Sequence, residues 1–188
     1  KYMDNRGNIN SLEINSSFYR IFSKDTWKKW YNEIPKDMVI SVKVWNKITH
    51  QKRLNAIEKE WELFWEGVQN LKNKLGVILF QFPPTFFKNE VNMKRLKALK
   101  KILPNEIRFA FEFRDLSWYV PELVNYLEKN NWCLVNMYVC NKSNWMGNIP
   151  IEKPILWPNY QTATFCYVRL HGKLGKFRGY YDTNELRE

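Results

Sequence analysis

Cysteine and glycine are both scarce in this chain, with 3 Cys and 7 Gly among 188 residues. Cys133, Cys140 and Cys166 are odd in number and show no CxxC spacing, so neither a disulfide framework nor a zinc knuckle is indicated, and the thiols are read as reduced. No apolar run approaches the ~18 residues that cross a bilayer, the longest lying around Leu75 to Phe82, and no charged-then-apolar leader opens the chain. The expectation is a soluble, cytoplasmic protein without a membrane partner. Low-complexity tracts, internal repeats and linkers are also missing, which leaves residues 1–188 as one domain. Disorder, collagen and a stapled miniprotein are excluded by what is present: 45% hydrophobic and 16% aromatic residues can bury a substantial core.

Acidic residues are outnumbered, 19 against 30 Lys and Arg, giving a formal charge of +11. Such a balance attracts polyanions, so weak nonspecific nucleic-acid binding is one expectation. The densest basic cluster, Lys94, Arg95, Lys97, Lys100 and Lys101, shares its segment with Met93, Leu96, Leu99 and Leu103 at helical spacing. That pattern describes an amphipathic helix with a wet basic side, and the basicity is read first as a solvated face.

Short β-rich apolar runs alternate with segments of helical period, the pattern of βα units around a parallel sheet. The expected strands are Leu12 to Asn15, Met38 to Val44, Gly76 to Gln81, Arg108 to Phe113, Cys133 to Met137 and Phe165 to Leu170. Ile57, Trp61, Phe64, Val68 and Leu71 form one helix face, and Trp27, Trp30 and Ile34 form that of a shorter helix. Pro121 opens a further helix, and Pro83 with Pro84 stops the third strand. Residues 138–164, with Gly147, Pro150, Pro154 and Pro158, are expected to be a long loop. An eight-unit barrel takes about 250 residues and six units about 190, so the length fits an incomplete TIM-type parallel βα barrel of six units.

Polar residues recur at strand ends in pairs two apart: Glu13 with Asn15, Lys43 with Trp45, Glu112 with Arg114, Arg169 with His171. Residues i and i+2 of a strand share a face, so these pairs are expected to point inward while Ile14, Val44, Phe113 and Leu170 pack outward under helices. Gln81 ends another strand, and His50 is placed in the loop beyond Val44. The carboxyl ends of parallel barrel strands converge on one mouth, where Glu13, Glu112, His50 and His171 are the candidates for acid–base work. Asn15, Lys43, Gln81, Arg114, Trp118 and Arg169 are the candidates for ligand binding. Two carboxylates against three cations favour a small anionic or phosphorylated ligand, with Arg114 and Arg169 as the gripping pair and His171 as the proton carrier. The competing reading is an ion network that fills the interior, Arg169 pairing with Glu13 or Glu112. Trp118, Phe18 and Tyr19 are read either as a ligand platform or as a lid over the core. HxH, HExxH, GxSxG and P-loop spacings are absent, so no metal site, serine nucleophile or nucleotide loop is assigned, and no cofactor is identified. Ser16 and Ser17 are turn residues on this reading, and the run from His171 to Lys176 is a basic loop.

Several stretches resemble one family: Glu13-Ile14-Asn15-Ser16-Ser17-Phe18-Tyr19-Arg20, Lys43 with Thr49-His50, and Leu79-Phe80-Gln81-Phe82-Pro83-Pro84. Phe111-Glu112-Phe113-Arg114 with Ser117-Trp118, and Tyr167-Val168-Arg169-Leu170-His171-Gly172 with Gly179-Tyr180-Tyr181, continue the match. The chain is similar to the domain of unknown function 72 family, also called YecE-like. The resemblance implies a TIM-type barrel that lacks its first and last strands here, with exposed sheet edges. It carries no settled activity, and it places Asn136 where relatives often hold an aspartate. Two functional classes are therefore expected: a hydrolase or lyase acting on an anionic substrate, or a noncatalytic nucleic-acid or anion-binding module.

Overall fold

The computed structural model of the protein describes residues 9–139, 148, 155–158, 160–172 and 178–184. Five strands, β1 (Ser11–Ile14), β2 (Val39–Lys43), β3 (Leu75–Gln81), β4 (Arg108–Glu112) and β5 (Cys133–Leu134), follow one another in chain order in one sheet. Helices α1 (Lys24–Glu33), α2 (Glu58–Val68), α3 (Glu90–Ala98) and α4 (Pro121–Lys129) alternate with them, so the fold is α/β with a mostly parallel sheet. No helix of the described residues is long and apolar enough to cross a membrane. The chain divides into two compact units, Lys1–Phe80 with Arg95–Phe109, and Gln81–Lys94 with Ala110–Glu188.

In the first unit β1 pairs in parallel with β2, Glu13 opposite Ser41, and β2 with β3, Lys43 opposite Leu79. Helix α1 starts where the Ser23 hydroxyl accepts the Thr26 N–H at 3.2 Å, and it ends at Ile34 because Pro35 disfavours helical backbone before it. Buried Lys74 donates to the carbonyls of Tyr31 and Ile34, both at 2.5 Å, satisfying that open C-terminus. The predicted face of α2 is the buried one: Ile57, Trp61, Phe64, Val68 and Leu71 are all inside, with Glu58, Lys59 and Glu62 in water. Trp61 stacks on Phe80 at 5.9 Å between ring centres. Helices α1 and α2 approach closely at Gly67, where an added Cβ would stand 2.5 Å from Trp27 Nε1 and 2.7 Å from its Cδ1. Gly67→Ala is thus expected to push buried Trp27 out of place and to lower stability by about 1–3 kcal/mol, read as a fall in the urea midpoint at unchanged slope.

In the second unit β4 pairs with β5, Ala110 opposite Cys133. The strand expected over Cys133 to Met137 is interrupted at Val135, whose N–H bonds the Phe111 carbonyl at 2.9 Å. The chain then continues as β6 (Asn136–Val139), flanked by β7 (Ile155–Trp157), antiparallel, and β8 (Val168–Leu170), parallel. The stretch read as a loop thus contains a strand, β7, too short for its alternation to show. Cys140, Gly147, Pro150, Pro154 and Lys173 to Lys176 lie outside the described residues.

Register in β6 and β8 places Asn136, and exposure in β8 corrects one further expectation. Met137 faces Arg169 across the ladder and Asn136 faces Val168, so Asn136 is on the opposite side of the sheet from Arg169. Asn136 directs its amide nitrogen at Cys166 Sγ, 3.5 Å away. Leu170, expected to be covered by a helix, is 43% exposed. Cys133 and Cys166 are free thiols, and burial pushes that of Cys133 up to about 12.

Candidate functional site

The end of β4 is held by aromatic packing. Phe113 points away from Glu112 into a stack in which it lies 5.1 Å from Phe82 and 4.5 Å from Trp118, while Phe86 lies 4.7 Å from Phe82 and 5.2 Å from Trp118. All four rings are buried, and Trp118 Nε1 donates to the Phe86 carbonyl at 2.6 Å. Trp118 is therefore a core residue, not a ligand platform: both faces meet protein and its polar atom is used inside. Asp115 caps the turn that follows by accepting the Ser117 N–H at 3.0 Å, and Tyr119 donates its hydroxyl to the Phe113 carbonyl at 2.6 Å. Burial, then the Glu112 charge, pushes that phenol well above its ordinary value, so it stays a donor. Tyr119 was not singled out from the sequence, where only its place beside Trp118 marks it.

On the other side of the backbone, Glu112 and Arg114 lie together, as their spacing required. Arg114 reaches Glu112 Oε1 with Nε at 2.7 Å and Nη2 at 2.6 Å, and Arg169 from β8 donates Nη1 to Oε2 at 2.5 Å. His171 Nε2 lies 3.7 Å from Oε1. Glu112 is fully buried, and the side chains of Arg114, Arg169 and His171 are 9%, 12% and 5% exposed. Burial alone would raise the carboxyl, yet the charges of Arg114, Arg169 and His171 outweigh it and hold the group well below the usual carboxylate range. Glu112 is therefore a fixed anion, which orients two guanidinium groups and does not suit it to taking up a proton. Gln81, also buried, donates to the Phe82 carbonyl at 2.6 Å, and the Phe82 N–H bonds the Glu112 carbonyl. Its amide thus serves the backbone beside Glu112.

The remaining candidates belong to the first unit. Glu13 and Asn15 line a pocket of about 390 Å³ that also includes Trp30 and Glu33, so two carboxylates give it the wrong sign for an anion. Lys43 holds Nζ 4.0 Å from the centre of the Phe18 ring, and the His50 ring meets the same ring edge-on at 4.8 Å. His50 is not in a loop as expected but in a π-helical turn, Lys47–Gln51, where its Nδ1 lies 2.9 Å from the Thr49 hydroxyl. Ser17, read as a turn residue, sits with Oγ 3.0 Å from the Ile14 carbonyl and 2.7 Å from that of Lys43, tying the ends of β1 and β2 together. Among the described residues no three His, Cys, Asp or Glu gather closely enough to hold a metal ion.

Comparison with known proteins agrees with the motifs. The family model described as "Protein of unknown function DUF72" matches residues 5–188. The UPF0759 protein YunF of Bacillus subtilis is 30% identical over 173 residues, covering 86% of this chain and 58% of that protein. The chain therefore spans a little over half the length of this relative. A DUF72 family protein of Enterococcus faecalis superposes with a TM-score of 0.76 at 20% identity, over 98% of this chain and 76% of that one. Another from Thermotoga maritima gives 0.76 at 22% identity, over 95% and 69%. At these identities the two structures speak for the fold.

Proposed function

Since the chain belongs to the DUF72 family, whose description assigns no activity, we propose a function from the geometry of its second unit: binding of an anionic group by Arg114 and Arg169, with His171 as the acid or base of a hydrolase or lyase. The observation that carries this reading is the charge balance around Glu112. Two guanidinium groups gather around one buried carboxylate, so positive charge predominates among the contacts described there. Charge of that sign at the end of a parallel strand favours phosphate or carboxylate, and guanidinium groups already oriented by Glu112 lose little freedom on gripping it. Imidazole is the side chain that exchanges protons near neutral pH, and His171 lies beside the charges where the ligand would sit. Glu112 is assigned to orientation. The wider architecture we propose is a TIM-type barrel to which this parallel sheet contributes, with the cluster at its mouth.

A thermal-shift titration with inorganic phosphate tests the binding, and turnover of a panel of phosphate monoesters tests the chemistry. Saturable stabilisation that Arg169→Ala abolishes, and turnover that His171→Asn abolishes while the phosphate shift survives, are the expected results. Full phosphate stabilisation in a folded Arg169→Ala variant overturns the assignment. The +11 charge supports a second reading, a noncatalytic nucleic-acid-binding module. That reading requires polynucleotide affinity that falls steeply with salt and survives Arg169→Ala.

A further inference from the structure

We propose that Gln81 recognises a hydroxyl group on the ligand held by Arg114 and Arg169, which makes the substrate class a hydroxylated anion such as a phosphorylated or carboxylated polyol. The inference rests on the anion reading above and adds to it a residue that decides specificity. All the residues concerned belong to the second unit. Backbone register places the Gln81 side chain. Where β4 meets β5, Leu134 pairs with Phe111, and the next N–H, that of Val135, bonds the Phe111 carbonyl. The Phe82 N–H bonds the Glu112 carbonyl at 2.9 Å in the same way, so Gln81 stands opposite Glu112, one strand spacing of about 4.8 Å away. The rings agree: the residues that follow, Phe82 and Phe113, stack at 5.1 Å on the other face. Gln81 therefore projects to the side of Glu112 and of Arg114, two residues further along.

The second observation is an unused acceptor. Gln81 is only 3% exposed, and its Nε2 donates to the Phe82 carbonyl at 2.6 Å. A carbonyl only accepts, so chemistry fixes which end of the amide is bound there and turns the oxygen elsewhere. Among the described residues Oε1 accepts no hydrogen bond, and it retains access to solvent. Bracing the Phe82 backbone accounts for the nitrogen alone. An acceptor on so deeply buried a side chain is poorly hydrated, and a donor carried by the ligand restores its missing bond. The guanidinium groups that predominate beside Glu112 disfavour an ammonium as that donor, which leaves a neutral hydroxyl. Sites that hydrogen-bond a substrate hydroxyl reject the analogue lacking it, because the protein's own polar group then stays unpaired.

Calorimetric titration of the whole protein at constant ionic strength tests this with inorganic phosphate, glycerol 2-phosphate and propan-2-yl phosphate, the last having the same carbon skeleton without the hydroxyls. Wild type should bind glycerol 2-phosphate about three- to tenfold more tightly than propan-2-yl phosphate. In Gln81→Met, similar in length and without the amide, that preference should vanish. The ratio of the two affinities is the readout, because a merely structural role for Gln81 would weaken both esters alike. Gln81→Leu serves if Gln81→Met does not fold. Binding of inorganic phosphate without discrimination between the esters in wild type overturns the proposal and leaves the anion site standing, as does a preference that persists in either folded variant. Failure of all the probes to bind overturns the anion reading itself, and this inference with it.

Discussion

Glu112→Gln is expected to lose about 3–5 kcal/mol of stability, because removing one member of a buried ion cluster leaves the others charged and uncompensated. Arg114 and Arg169 both depend on that carboxylate, and neither is more than 12% exposed, so water replaces little of the lost interaction. Urea denaturation measures the loss, and a control separates charge from packing. Replacing Glu112 with Leu together with Arg114→Met and Arg169→Met removes all three charges and should recover most of the stability. The same carboxylate sets a pH dependence. Its native value is depressed below the ordinary 4.5, so its contribution is complete above 4.5 and is lost as pH falls from there toward the native value. The stability gap between wild type and Glu112→Gln should accordingly be widest near neutral pH and narrow in acid. A gap that stays constant with pH would assign the loss to shape. Loss of activity in Glu112→Gln or Arg169→Ala would report folding as well as chemistry, which is why His171 is the informative position for function.

The second large effect is expected at Trp118, where substitution by alanine should lower stability by about 3–5 kcal/mol. Its ring is fully buried against Phe86 and Phe113, and its indole N–H satisfies a buried carbonyl. Trp118→Phe should lose less, because most of the ring area remains and only the bond to Phe86 is gone. Equilibrium unfolding of the pair checks the ordering. If Trp118→Ala unfolded like wild type, the stack would not be what fixes the end of β4.

The alternation of strands and helices was legible because burial writes its period into the chain. The inward face of α2, Pro121 at the start of α4 and the stop at Pro83 all follow from local rules, as does the same-side placement of Glu112 and Arg114. Arg169 was legible as an inward charge, but its choice of Glu112 as partner was one of two options that only the folded chain distinguishes. Trp118 shows the opposite limit. Four residues past Arg114, an aromatic residue reads equally as platform or core, and the outcome depends on Phe82 and Phe86 arriving from another strand end. His50 was misplaced for a local reason: π-helical turns have no composition signature, and left-handed Leu54 and Ala56 contradict the propensities by which loops are recognised. Strand β7 and the break at Val135 were missed because strands of two to four residues carry too few alternations to count.

The ion pair from Arg169 to Glu112 joins residues 57 positions apart, through a strand of only three residues whose Val168 and Leu170 remain 47% and 43% exposed. Little apolar area is available to draw β8 into place early, and closing so long a loop is entropically slow. Docking of that strand is accordingly expected on the late side of the folding barrier. Loss of Arg169 should then act chiefly on the unfolding arm, shortening the lifetime of the native state while the refolding rate, read by stopped-flow dilution from urea, stays nearly unchanged.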